Sequence, residues 1–219
     1  MIRVVSLLCL KLMAMALVFA SASASAQPAA GPRGPAVDLK TSRVYVLVDK
    51  TGIGHPHGVV GSLKSGTVTL GAKAKAGQIV FDMKSFVADT DDARKYVGLA
   101  KKIDAETQKK VTETMLGEHV LDVEHHPTAT FDIDSAIATG KKSAAGHPLF
   151  QLDGRFTLHG TTQPLKVIAE AISGAKPTRL RTQFKVEQSN FGMKPYTTGF
   201  GTVGVADELT IWGDVELLP

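Results

Sequence analysis

The sequence predicts an all-β protein: an antiparallel eight-stranded barrel with one or two helices packed over it. Three observations support this fold class. Apolar and polar residues alternate in several runs, turn residues separate those runs, and one segment, about 90–119, lacks the alternation. Strands with one wet and one dry face are typical of antiparallel sheets, and closure into a barrel removes exposed sheet edges.

The first residues have the pattern of a secretory signal. A long apolar run follows Arg3 and ends in the small residues Ala24 to Ala26, which fit a cleavage site. We therefore expect a signal peptide at 1–26, a periplasmic or secreted protein, and no stable membrane span in the mature protein. Residues 27–42 are rich in Pro, Gly and Ala and are expected to form a flexible leader, so that the domain spans 43–219.

Composition and motifs exclude several kinds of site. The formal net charge is +4, and the expected signal peptide carries two of the basic residues, so no patch for nucleic acid is predicted. The single cysteine, Cys9, lies in that same segment, which excludes disulfides and thiolate sites from the domain. The sequence has no G-x-S-x-G motif, and the glycine-rich stretch 199–204 precedes a strand rather than a phosphate-binding helix.

Runs that alternate with period two are the predicted strands. One face of each run is expected to lie inside the barrel and the other to face water. The clearest runs are QIVFDMKS at 78–85, PTATFDIDS at 127–135, FQLDGRFTLH at 150–159, RLRTQFKVE at 179–187 and DELTIWGDVELL at 207–218. Clusters of turn residues predict chain reversals at 61–66, 73–78, 138–148, 159–164 and 173–178.

The segment 90–119 is predicted to form one or two helices over one end of the barrel. A spacing of four residues places one set of side chains on the same side of a helix: Ile103, Thr107, Val111 and Met115. Residues with capping chemistry are expected at the helix ends, namely Asp91 or Asp92 and Asp104 at the starts and Gly117 at an end.

Histidines raise an alternative function, a metal-dependent or His-dependent hydrolase or isomerase. Two pairs would have to converge for such a site: His55 with His57, and His125 with His126. Local hydrogen bonds at the surface explain the same residues, and we predict no catalytic residue, no metal and no cofactor. A further alternative is a filled barrel whose outer face, around Trp212, binds another protein together with Lys166 and Lys185.

The inner face leaves two possibilities open, because an eight-stranded barrel either fills itself with side chains or encloses one small ligand. Motifs along the chain bear on this choice. In order, they are GQIVFDMKSF at 77–86, DVEHHPTATFDI at 122–133, GRFTLHGTTQPLKV at 154–167, FKVEQSNFGM at 184–193 and VADELTIWGDVEL at 205–217.

This ordered set resembles the YceI-like family of secreted, lipocalin-like barrels that bind polyisoprenoid or other long-chain amphiphiles. The resemblance implies an apolar tunnel, transport or storage rather than catalysis, and a turn role for His159. Two stretches depart from the family pattern: 90–119 is longer, with VTETML where many relatives have Arg-Asp-x-His-Leu, and GHPHGVVG differs from the usual first hairpin. Both are expected near a tunnel entrance.

We therefore predict a binding protein that holds an isoprenoid, a quinone or a fatty amphiphile inside the barrel, with a homodimer left open. The predicted lining residues share an apolar, inward-facing position: Ile79, Phe81, Met83, Phe131, Ile133, Phe156, Leu158, Phe184 and Ile211. Phe191 and Tyr196 are expected at the rim.

Overall fold

The computed structural model describes residues 34–172 and 178–219, which form a closed antiparallel barrel. The strands are β1 (Arg43–Gly52), β2 (His57–Val68), β3 (Gly77–Ala88), β4 (Thr128–Lys142), β5 (Pro148–Leu158), β6 (Thr161–Ile172), β7 (Thr178–Glu187), β8 (Thr197–Thr198) and β9 (Val203–Leu217). Each long strand pairs with its neighbour in the chain, and β1 pairs with β9 to close the barrel. The predicted eight-stranded barrel is confirmed, with the two-residue β8 as an addition. The predicted signal peptide lies outside the described residues.

Period-two alternation sorts the side chains as predicted. Ile79 on β3 lies opposite Phe131 on β4, which lies opposite Phe156 on β5, and all three are buried. On the outer face of β4 and β5, Arg155 and Asp134 are exposed, and the Arg155 Nη1 lies 3.4 Å from the Asp134 Oδ2. Burial of the inward residues removes apolar surface from water, which is the main driving force for the fold.

The expected turn at 61–66 is wrong, because β2 runs through it with irregular register after Val60 and after Leu63. The glycines of this stretch serve close packing rather than chain reversal. A Cβ on Gly61 would lie 2.3 Å from the ring of Phe86, and one on Gly66 would lie 2.8 Å from Val37. Glycine within a strand often marks such a close approach.

The expected turn at 159–164 is present but shorter. His159 and Gly160 both have positive φ, +50° and +73°, and β6 begins at Thr161. A two-residue connection with two positive φ angles matches the right-handed twist of a hairpin. His159 is therefore a turn residue, as the sequence predicts.

Two helices pack on the barrel, α1 (Asp91–Tyr96) and α2 (Ala105–Leu116). α2 lies over one end of the interior, whereas α1 packs against the outer wall, where Tyr96 stacks on Tyr45. The Thr90 hydroxyl, rather than Asp91 or Asp92, caps α1, whereas Asp104 and Gly117 flank α2 as expected. The backbone N–H of Ala88 donates to the Thr112 hydroxyl at 3.1 Å, so α2 is bound to the end of β3. Neither helix, nor any other in the described part of the chain, has the length and apolarity to cross a membrane.

The end of the barrel away from α2 is closed by residues 36 and 37, which belong to the leader predicted from the sequence at 27–42. Ala36 pairs with Thr67 and Val37 pairs with Leu217, and the Val37 side chain is only 4% exposed. The expected leader therefore includes a short segment that packs on the barrel. The Val37 side chain occupies the space that a side chain at position 66 would need.

The seam between β6 and β7 is paired only from Ala169 to Ile172 on the β6 side. A 3-10 helix, Gln188–Phe191, follows β7 and covers the unpaired part. The Gln163 side-chain amide donates to the Asn190 carbonyl at 2.9 Å, and the Phe191 ring packs edge-on against Phe156 with centroids 5.5 Å apart. The seam is thus closed by side chains rather than by a complete backbone ladder.

Candidate ligand cavity

A cavity of about 280 Å³, the near cavity, lies inside the barrel beneath α2. The strands around it contribute inward apolar side chains, for example Val46, Met83 and Leu209, and α2 contributes Val111 and Met115. A mostly apolar interior of this size near a helix-covered barrel end is typical of a small-molecule site. The barrel is therefore not filled by its own side chains.

A smaller far cavity of about 60 Å³ lies further along the barrel, toward Val37. Five side chains border both cavities and form what we term the dividing layer: Val44, Phe81, Phe156, Phe184 and Ile211. Within it, the rings of Phe81 and Phe156 meet edge to face with centroids 6.1 Å apart. Such aromatic pairs are stabilising beyond their buried area, so the layer is a built partition rather than loose packing.

The predicted lining residues fall into three groups. Seven border the near cavity: Phe81, Met83, Phe156, Leu158, Phe184, Tyr196 and Ile211. Ile79 and Phe131 border only the far cavity. Ile133 and Phe191 are buried, at 2% and 3% exposure, but border neither cavity, because Ile133 packs within the core and Phe191 packs behind Phe156.

Several lining residues escaped the sequence analysis. Alternation in RVYVLVD, 43–49, was a usable signal for Val44, Val46 and Val48, all of which line the near cavity. His57, at the start of β2, lines the same cavity. The sequence pointed to it only as a possible metal ligand and as part of a stretch near a tunnel entrance, and it did not predict the contact with Asp89. The position of His57 depends on long-range contacts that local spacing does not reveal.

His57 belongs to a buried polar cluster with Asp89 and Arg94. The His57 Nδ1 lies 2.6 Å from one Asp89 carboxylate oxygen, and the Arg94 guanidinium donates to the other at 2.6 Å. Asp89 is 2% exposed and Arg94 is 3% exposed. Arg94 also donates to the carbonyls of Pro56 and Lys101, so it ties α1 to the loops on either side.

The cluster keeps the Asp89 carboxylate ionised. Burial by itself raises the pKa of Asp89, but hydrogen bonds from His57 and Arg94 outweigh it, and the pKa lies below its ordinary value. Asp89 also has an unusual φ of +56°, and its backbone N–H donates to the Gly58 carbonyl at 2.6 Å. A residue with a strained backbone whose side chain is held by several hydrogen bonds is common at functional sites.

His55 stacks obliquely beside this cluster, with its ring centroid 4.7 Å from that of His57. Burial lowers the pKa of His55, and the neighbouring His57 lowers it further, so the ring favours the neutral form. Its Nε2 is buried and makes no hydrogen bond to any residue that the structure describes.

The histidines considered for metal binding lie in two separate groups. His55 and His57 lie near Asp89, whereas His126 lies near Asp122 and His159. In the first group both Asp89 oxygens are already engaged by His57 and Arg94. In the second, both Asp122 oxygens lie 2.9 Å from the Nδ1 of His125, whose side chain is exposed. The two pairs do not form one joint site.

The barrel is similar to two solved bacterial structures. BcnA of Burkholderia cenocepacia is 17% identical, with a TM-score of 0.52 and coverage of 82% of this chain and 98% of that one. A polyisoprenoid-binding domain of Saccharophagus degradans, implicated in plant cell wall breakdown, is 13% identical, with a TM-score of 0.53 and coverage of 84% and 98%. At these identities the similarity concerns the fold.

Curated proteins include no match to this sequence. The YceI-like domain, in contrast, matches residues 36–217, a range that includes every strand and helix of the described structure. The sequence match and the barrel agree with each other, and the chain belongs to the YceI-like family.

Proposed function

We propose that this protein binds one long-chain apolar or amphiphilic molecule in the near cavity and carries or stores it without chemical change. The observation that carries the proposal is an unfilled, apolar space of about 280 Å³ inside a barrel whose far end is closed. The similarity to a polyisoprenoid-binding domain supports an isoprenoid chain, and a quinone or fatty chain has the same apolar character. The expected signal peptide supports a periplasmic or secreted location.

Burial of the chain supplies the binding energy. A water molecule occupies about 30 Å³ of liquid, so the near cavity has room for about nine groups of that size. Each buried methylene contributes about 0.8 kcal/mol, which changes the affinity about fourfold. A longer chain has to move the dividing layer or extend out past α2.

The proposal assigns no catalysis. The histidines near the cavity are engaged with Asp89 or neighbouring rings, and the rim contains exposed lysine and tyrosine side chains rather than a nucleophile paired with a base. Affinity for a chain therefore requires only apolar burial and a small number of polar contacts.

The first test is a search for co-purifying lipid. The full chain is expressed with its N-terminal segment intact, purified from the periplasm or medium without detergent, and extracted for mass spectrometry. We expect a near-stoichiometric isoprenoid, quinone or fatty species. Recovery only from the cytoplasm would contradict the location, and an extract without lipid from folded protein would contradict the proposed carriage.

A pair of tryptophan variants makes this test specific to the near cavity. Leu209→Trp places a larger side chain into the space, whereas Ile168→Trp adds the same ring on the outer face of β6, where Ile168 is 43% exposed. We expect the first variant to lose most of the bound lipid and the second to retain it. Equal occupancy in both folded variants would place the ligand elsewhere.

A further inference from the structure

At His57, the near cavity adjoins the buried ion pair of Asp89 and Arg94. Asp89 and Arg94 already form an ion pair at 2.6 Å, and the Gly58 backbone N–H donates to the same Asp89 oxygen at 3.2 Å. Pairing is what makes buried charges tolerable. His57 is an additional partner, and it is the member of the cluster that lines the cavity.

The hydrogen bond to Asp89 sets the tautomer of a neutral His57 ring. An ionised carboxylate only accepts hydrogen bonds, so Asp89 accepts from the Nδ1–H of His57. A neutral imidazole has one N–H, and its other nitrogen is then an acceptor. Since Nδ1 is engaged with Asp89 and the residue lines the near cavity, Nε2 of the neutral ring is the nitrogen that can accept a hydrogen bond from a bound molecule.

The charges around His57 disfavour an anionic end group. Asp89 lies directly behind the ring, and its charge is balanced by Arg94. His55 favours the neutral form beside it. Lys110 lines the same cavity, but its side chain is exposed and its charge is weakened by water. The local requirement is thus a neutral hydrogen-bond donor on an apolar chain.

We propose that His57 binds the hydroxyl end of a long-chain alcohol through Nε2, with the chain directed toward the dividing layer. This inference rests on the proposed function, since it specifies the end group of the molecule held in the near cavity. His55, whose ring centroid lies 4.7 Å from that of His57, lines neither cavity, so His57 is the histidine that meets the end group.

Two isomeric probes separate this inference from apolar binding in general. n-Decanol and methyl nonyl ether have the same atoms, but only the alcohol donates a hydrogen bond. Each displaces a fluorescent apolar probe from delipidated full-length protein at about pH 8, where imidazole is neutral. We expect n-decanol to bind about three- to tenfold more tightly than the ether, as one net hydrogen bond implies.

Variants test whether His57 causes the difference. His57→Leu should bind both isomers with the affinity of the ether, because the acceptor is gone and the apolar volume is similar. His147→Leu is the matched control, since His147 also pairs with a carboxylate, Glu170 at 2.7 Å, but lines neither cavity. The control should keep the preference for the alcohol.

The outcomes separate the two claims. Equal affinity of the wild-type protein for both isomers would overturn the hydroxyl site and leave the proposed function standing. Tighter binding of decanoate than of n-decanol would also overturn it. Failure of every probe to bind folded protein would overturn the proposed function and this inference together. Should His57→Leu not fold, the isomer comparison on the wild-type protein still decides.

Discussion

Removal of one ring from the dividing layer should lengthen the chain that the protein accepts. Phe184 borders both cavities, so Phe184→Ala joins them into one space. The far cavity adds about 60 Å³, room for about two groups the size of a water molecule, and the missing ring adds more. At about 0.8 kcal/mol per buried methylene, two further carbons contribute about 1.6 kcal/mol, or roughly fifteenfold in affinity.

The assay is a series of straight-chain alcohols of increasing length, each competing with a fluorescent probe. For the wild-type protein, affinity should rise with each carbon until the near cavity is full and then level off. For Phe184→Ala, the rise should continue for at least two more carbons. Thermal unfolding should show a loss of about 3 kcal/mol, the low end for a buried phenylalanine, because Phe184 already borders empty space.

Phe150→Ala is the matched control. Phe150 is also a partly buried phenylalanine packed against the core, but it borders neither cavity. It should lose stability without a change in the preferred chain length. A levelling point that is the same for the wild-type protein and Phe184→Ala, or that shifts equally in the control, would refute the role of the dividing layer.

Other predictions concern stability. Thr90→Ala should cost about 1 kcal/mol in chemical unfolding, because the hydroxyl caps α1 at the Ala93 N–H; an unchanged midpoint would contradict this. Gly61→Val should cost about 1–3 kcal/mol or more, since Phe86 occupies the space of the added side chain; a stability equal to the wild type would show that β2 moves freely there. The lowered pKa of Asp89 stabilises the folded state above the ordinary value of 3.8, and this contribution is lost as the pH falls through the folded pKa. Asp89→Asn should therefore flatten the acid side of a stability–pH curve, and an unchanged slope would count against the cluster.

Local spacing in the sequence was sufficient for most of the barrel. Alternation placed Phe131 and Phe156 inside because inside and outside differ by a single residue step along a strand. It failed at 61–66, where glycines suggest a turn but accommodate Phe86 and Val37. The distinction depends on residues distant in sequence, which spacing alone does not contain.

The site was less predictable than the fold. Inward apolar residues were identifiable, but the division of the interior into two cavities depends on how the rings of Phe81 and Phe156 meet. Likewise, the pairing of His57 with Asp89 joins residues 32 positions apart through the β2–β3 ladder. Such contacts depend on the register of neighbouring strands and on side-chain rotamers. Both are set by the complete fold and cannot be read from local sequence patterns.

β9 closes the barrel, so the time at which it pairs during folding affects how a ligand can enter. β9 pairs with β1 as well as β7, and the pair Arg43 with Asp214 spans most of the chain. Contacts of such long sequence separation are slow to form. The interior is enclosed only when β9 pairs with both β1 and β7, so a chain-like molecule that is present before this pairing forms does not have to displace α2. Protein refolded in the presence of lipid should therefore fill faster than protein that is already closed.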